Sequence, residues 1–121
     1  MRFITLSLPF VLSVSALAAA EAPAPGELRG HTALVYSLAF SPDGKQLATA
    51  GFDNVVKIWD PASWKEIRTL TGHTGPVYCV TYSKDGQTIA TSSQDKTIRI
   101  WKAADGAFQR EIKGHTDIVD C

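Results

Sequence analysis

The sequence predicts an all-β chain built from a repeated, four-stranded antiparallel unit. Three observations predict it. The stretch from His31 to Trp59 (HTALVYSLAFSPDGKQLATAGFDNVVKIW) is restated in register from His73 to Trp101 (HTGPVYCVTYSKDGQTIATSSQDKTIRIW), with 12 of 29 positions identical, and a third copy opens at His115 as HTDIVDC. The offset is 42 residues, from His31 to His73 to His115 and from Trp59 to Trp101, and a long fixed period outweighs any local reading of a chain. Within each unit, short runs rich in β-branched and aromatic residues alternate with Gly, Pro, Asp and Asn, and no segment carries a helical stripe.

Taken in order, residues 1–20 read as an export signal. Arg2 supplies a short positive start, Phe3 to Leu17 an almost uncharged apolar run, and Ala18 to Ala20 the small residues of a cleavage site. A membrane anchor fits less well, because the run is short for a span and Glu21 follows it instead of a basic stop. No stable membrane insertion is expected once this segment is removed. Residues 21–30 (EAPAPGELRG) read as a linker punctuated by Pro23, Pro25 and Gly26.

The first unit then gives strands at Val35 to Ser41, Gln46 to Ala50, Val55 to Trp59 and Lys65 to Leu70. Between them lie the Ser41-Pro42-Asp43-Gly44 turn, Gly51 to Asn54, and Asp60-Pro61-Ala62-Ser63. The second unit repeats the plan with Val77 to Ser83, Thr88 to Ser92, Thr97 to Trp101 and Phe108 to Lys113. The apolar faces expected between neighbouring sheets carry Val35, Leu38, Phe40, Leu47, Val56 and Ile58, then Val77, Val80, Tyr82, Ile89, Ile98 and Ile100.

Composition excludes several function classes. Twelve basic residues balance twelve acidic ones, and the charges form no long block, so nothing gathers phosphates and no nucleic-acid partner is expected. The chain has no phosphate-cradling loop and no cofactor fingerprint. No cofactor and no metal is expected.

These landmarks carry a family resemblance. Gly30-His31, Asp43-Gly44, Leu47 to Gly51, Asp53 and Trp59-Asp60, with Gly72-His73, Asp85-Gly86, Ile89 to Ser92, Asp95 and Trp101 in register, resemble the signature of the WD-repeat β-propeller family. The resemblance implies a partial β-propeller of four-stranded antiparallel blades: repeat 1 over 31–72, repeat 2 over 73–114, and the start of a third repeat over 115–121. Trp101 is followed by Lys102 where the pattern has Asp, at a position the fold should tolerate. The resemblance also implies a structural hydrogen-bonded chain in each repeat: His31, Thr49, Asp53 and Trp59 in the first, His73, Thr91, Asp95 and Trp101 in the second. The residue types suit it, since a carboxylate accepts from one imidazole nitrogen, a hydroxyl meets the other, and an indole only donates.

The same Asp, His and Thr could be taken for a catalytic triad. That reading is set aside because the trio recurs in every unit, whereas a catalyst needs one site with an oxyanion hole and a pocket. Zinc binding by His31, His73 and His115 fails because successive blades hold them apart. Cys79 and Cys121, one repeat apart on neighbouring blades, are expected to lie too far apart for a disulfide and to serve as small apolar core residues.

No catalytic constellation is present, so the chain is not expected to be an enzyme. The expected function is a protein-binding scaffold, exported to the periplasm or secreted, and forming the N-terminal part of a longer propeller. Two alternatives stay open: the propeller portion of an exported enzyme, or a non-functional gene remnant. Roughly 4–8 blades close a propeller, so a mature product of this length would self-associate. Candidate partner-binding residues lie on the loops beside the Gly-His and Asp positions: Leu34, Tyr36, Phe52, Pro76, Tyr78 and Gln94. Phe52 is the sharpest, an aromatic in a tight turn whose counterpart is Gln94. Trp64, opposite Gly106 in the second unit, is expected to cover a flank or meet a neighbour.

Overall fold

The computed structural model describes residues 3–5 and 27–121. Strand β1 (Phe3–Thr5) pairs antiparallel with β2 (Glu27–Arg29). The first unit folds as a four-stranded antiparallel meander of β3 (Val35–Phe40), β4 (Leu47–Gly51), β5 (Val56–Asp60) and β6 (Lys65–Leu70). The second repeats it with β7 (Val77–Tyr82), β8 (Thr88–Ser93), β9 (Ile98–Lys102) and β10 (Phe108–Ile112). Apart from Phe3–Thr5, the expected export signal lies outside the described residues, as do residues 21–26 of the expected linker.

Turn chemistry sets the strand ends. Ser41 leaves its strand because its hydroxyl donates to Asp43 (2.6 Å) while accepting the backbone N–H of Gln46 (3.0 Å). Ser83 does the same with Asp85 and Thr88. Each hydroxyl thus closes a turn that the ladder would otherwise leave unpaired. Gly44 and Gly86 sit at φ 71° and 73° in these turns, in the left-handed region that a side chain disfavours.

The two sheets pack face to face. Ala48, Ala50, Val56, Ile58 and Leu70 of the first meet Val77, Val80, Ile89, Trp101 and Ala103 of the second, with Ala39 and Tyr82 at the margin. Tyr82 also donates its hydroxyl to Gln46 (3.1 Å) across the interface, and its burial pushes the phenol up to about 12.

Three expectations are corrected here. Residues 27–29 are not linker but a strand, and Leu28 is buried against Leu47 and Trp59 with Trp64 packed beside them. The repeat explains this: Leu28 stands 42 residues before Leu70, so the repeating pattern begins before His31. Leu38 and Phe40 do not lie between blades. They are 46% and 50% exposed, whereas their counterpart Val80 is 3% exposed, because Val80 has a sheet in front of it and Leu38 has none among the described residues.

The third correction concerns the cysteines. Cys79 and Cys121 form a disulfide, with Cα atoms 5.2 Å apart. The sheets are arranged as wedges whose first strands, β3 and β7, abut: the backbone N–H of Val80 donates to the Ser37 hydroxyl at 3.3 Å. Residues at the same register on neighbouring first strands therefore come within disulfide reach, although the rest of each sheet diverges. The segment entering the third unit follows this line, with Val119 N–H donating to Ser93 O (3.3 Å) and the Ser92 hydroxyl to Asp120 O (3.2 Å).

Candidate partner-binding face

At one end of both sheets, the loops before the first strand and between the second and third are locked together. In the first unit His31 Nδ1 lies 2.9 Å from one Asp53 oxygen, and His31 Nε2 lies 2.7 Å from the Thr49 hydroxyl. Trp59 Nε1 donates to the same hydroxyl at 2.8 Å. The carboxylate beside Nδ1 selects the tautomer: Nδ1–H donates to Asp53, Nε2 accepts from Thr49, and Thr49 accepts from Trp59. Asp53 also accepts the Thr32 backbone N–H (3.0 Å) and so ties the entering loop to the turn.

The second unit holds the same chain through His73, Asp95, Thr91 and Trp101, at 2.7, 2.7 and 2.9 Å. Here Thr97 adds a hydroxyl (2.6 Å) and a backbone N–H (3.0 Å) to Asp95, where the first unit has Val55. Burial pushes the Asp95 carboxyl up, but hydrogen bonds from Thr97, His73 and Thr74 outweigh it and hold it at about 2. Burial also pushes the His73 imidazole down, against the pull of Asp95. Gly51 has no room for a side chain, since a Cβ there would lie 2.7 Å from Asp53 and 2.9 Å from His31. Ser93 takes that place in the second unit and donates its hydroxyl to Gly75 O instead.

This arrangement is a clamp and has no open reaction centre. Thr49 is fully buried, and its oxygen already receives Trp59 on one side and meets His31 on the other. No face of that hydroxyl is open to an electrophile. Among the described residues no three His, Cys, Asp or Glu side chains are grouped to hold a metal.

The clamp leaves an aromatic cluster exposed above it. The backbone N–H of Phe52 donates to Leu34 O (2.8 Å), and that of Gln94 to Pro76 O (2.9 Å), so these four candidates sit in two equivalent loop pairs. The ladder skips Tyr36 and Tyr78: register shifts fall between Val35 and Ser37 and between Val77 and Cys79, and such bulges re-aim side chains. The result brings three candidates together. Tyr36 stacks on Phe52 (centroids 5.7 Å, 20°), and Tyr78 meets both edge-on at 5.3 and 5.5 Å. Leu34, Tyr36 and Phe52 remain exposed. In the third unit the register of Tyr36 and Tyr78 is held by Asp120, a position readable from the period alone.

A groove of about 800 Å³ opens at the opposite end, between the Ser41–Gln46 turn, Asp60 to Ala62 and Lys102 to Ala104. Its lysines and aspartates offset each other, and it carries no convergent polar set.

Residues 24–60 and 64–102 match the family model described as WD domain, G-beta repeat, together well over half of the chain. The chain belongs to the WD40 family. It is 48% identical over 42 residues to ribosome assembly protein 4 of Saccharomyces cerevisiae, across 35% of this chain and 8% of that one. It is 46% identical over 43 residues to the small ribosomal subunit protein RACK1z of Arabidopsis thaliana, across 36% and 13%. Among solved structures, the WD40 repeats of RRP9 superpose with a TM-score of 0.74 at 29% identity, covering 76% of this chain and 29% of that one. The chain therefore spans less than a third of the length of each. As a WD40 repeat domain it is of the protein-interaction type.

Proposed function

We propose that this blade pair is part of an exported scaffold that holds a protein partner on the Tyr36–Phe52–Tyr78 face. The observation that carries the reading is the three-ring cluster above two buried clamps, with Tyr36 and Phe52 exposed and Tyr78 half-buried between them: a rigid base with aromatic anchors and no chemistry attached. Export is supported by the apolar leader with its alanine end and by the Cys79–Cys121 disulfide, which persists in oxidising compartments. The reading as part of a longer propeller is supported by Leu38 and Phe40, whose sheet face has no neighbour among the described residues.

The test compares partner capture from a native extract by the parent chain and by Phe52→Ser. A partner retained by the first and lost by the second, with unfolding free energies within about 1 kcal/mol of each other, supports the reading. Equal capture by both overturns it. N-terminal sequencing of the native product separately checks export, with Glu21 expected as the first residue.

A further inference from the structure

The two ends of the sheet pair differ in charge, although the chain as a whole is neutral. At the end that carries the groove, turn aspartates share their loops with lysines: Asp43 with Lys45, Asp85 with Lys84 and Asp105 with Lys102. At the end that carries the aromatic cluster there is no such balance. The loops over 30–34, 51–55, 72–76, 93–97 and 114–120 hold Asp53, Asp95, Asp117 and Asp120 against Lys96, with histidine neutral. Two cations on the neighbouring strands do not offset them, since Arg99 and Lys113 are both bound to Glu111, at 2.9 and 2.8 Å.

Register sets one of these carboxylates beside the rings. Tyr36 and Tyr78 hold the same place in successive units, and their ring centroids lie 5.3 Å apart. Asp120 holds that place in the third unit. The Cys79–Cys121 bond, with Cα atoms 5.2 Å apart, joins the residues that directly follow Tyr78 and Asp120, and the Ser92 hydroxyl donates to the Asp120 carbonyl at 3.2 Å. Asp117 lies in the loop that enters this strand. Asp117 and Asp120 are exposed, so both can touch a ligand. Asp53 and Asp95 are nearly covered inside their clamps and act at the surface through their field. The faces of aromatic rings are electronegative as well. Rings and carboxylates therefore favour the same ligand charge, a cation, and disfavour an acidic group. A guanidinium suits both features at once: its plane stacks on a ring face while its fork of N–H donors meets a carboxylate.

Resting on the partner-face reading above, we propose that the partner presents an arginine-bearing basic segment to this face. Its apolar residues cover Leu34, Tyr36 and Phe52, and its guanidinium lies between the Tyr78 ring and the Asp120 carboxylate, with Asp117 at the rim. The rings supply contact area, and the carboxylates choose among partners. An exposed ion pair alone is weak. This one gains from a stack and a charge pair acting on a single group.

The experiment is fluorescence anisotropy with labelled peptides that share one apolar sequence and carry arginine, lysine, glutamate or citrulline (the neutral isostere of arginine) at the same positions. At low salt the arginine peptide is expected to bind about tenfold more tightly than the citrulline peptide, with lysine between them and glutamate weakest. The advantage should vanish in about 1 M salt, where the screening length is about 3 Å. Asp117→Asn/Asp120→Asn is expected to abolish the arginine advantage and to leave citrulline binding unchanged. Asparagine keeps the oxygens that accept the Ile118 and Cys121 backbone N–H groups (2.8 Å each), so the segment stays in place. Asp85→Asn/Asp105→Asn removes the same charge from the opposite end and should change nothing. Equal binding of the arginine and citrulline peptides overturns the proposal. So does an advantage that survives Asp117→Asn/Asp120→Asn, or one lost equally in Asp85→Asn/Asp105→Asn. Lysine binding as tightly as arginine overturns the guanidinium assignment. Phe52→Ser should weaken the arginine and citrulline peptides by the same factor. If it does so while Asp117→Asn/Asp120→Asn has no effect, the partner face stands and the basic segment falls. If Phe52→Ser weakens neither peptide, the partner-face reading itself fails.

Discussion

Single residues in the two clamps do unequal work although they share a pattern. Thr91 bridges His73 and Trp101 out of contact with water, so Thr91→Val leaves an imidazole nitrogen and an indole N–H unpaired. A loss of about 3 kcal/mol is expected from denaturant unfolding, and a loss under about 1 would show that the clamp is not structural. The same clamp has a pH signature. Burial lowers the folded pKa of His73 from its ordinary 6.5, so the unfolded chain binds the extra proton first. Stability from this group is full above pH 6.5 and erodes as the pH falls below it. Asp95, held at about 2 against an ordinary 3.8, adds stability above pH 4 that is lost as the pH falls toward 2. The unfolding midpoint should therefore decline in two stages, and His73→Gln should flatten the upper one. An unchanged slope between pH 7 and 5 in that variant would refute the assignment.

At the scale of elements, short strands depend on what covers them. Strand β2 has three residues and its hold on the first sheet is Leu28, packed on Leu47 and Trp59. Leu28→Ala should cost about 2–4 kcal/mol, although a linker residue would cost almost nothing, and calorimetry separates the two. The segment after β10 lacks a ladder of its own and is held by two hydrogen bonds and one disulfide. The bond closes a loop of 42 residues, for which chain entropy gives up to about 4 kcal/mol. Cys121→Ser should lower the unfolding midpoint accordingly, with hydrogen exchange rising first at residues 115–121. Exchange unchanged there would mean that the segment needs no covalent anchor.

Across the whole molecule, cost follows neighbours more than sequence position. Val80 and Leu38 hold the same register in successive units, yet one faces a sheet and the other faces water. Val80→Ser should lose about 2 kcal/mol, and Leu38→Ser in the oxidised chain less than about 0.5. Equal losses would mean that the leading face is covered in solution.

The fold was legible because a repeat states its own rules twice. The His, Thr, Asp and Trp landmarks, the Ser-Asp turns and the alternating strand faces all lie within one unit, where spacing along the chain equals spacing in space. What only the tertiary structure decided lies between units. The disulfide depended on how closely first strands approach at the narrow end of two wedges, and no spacing within a repeat encodes that angle. The burial of Leu28 and the exposure of Phe40 depended on which sheet has a neighbour. The meeting of Tyr36, Phe52 and Tyr78 depended on two bulges and a shared edge. Hydrophobic pattern records which face wants cover, but the packed neighbour determines whether it is covered.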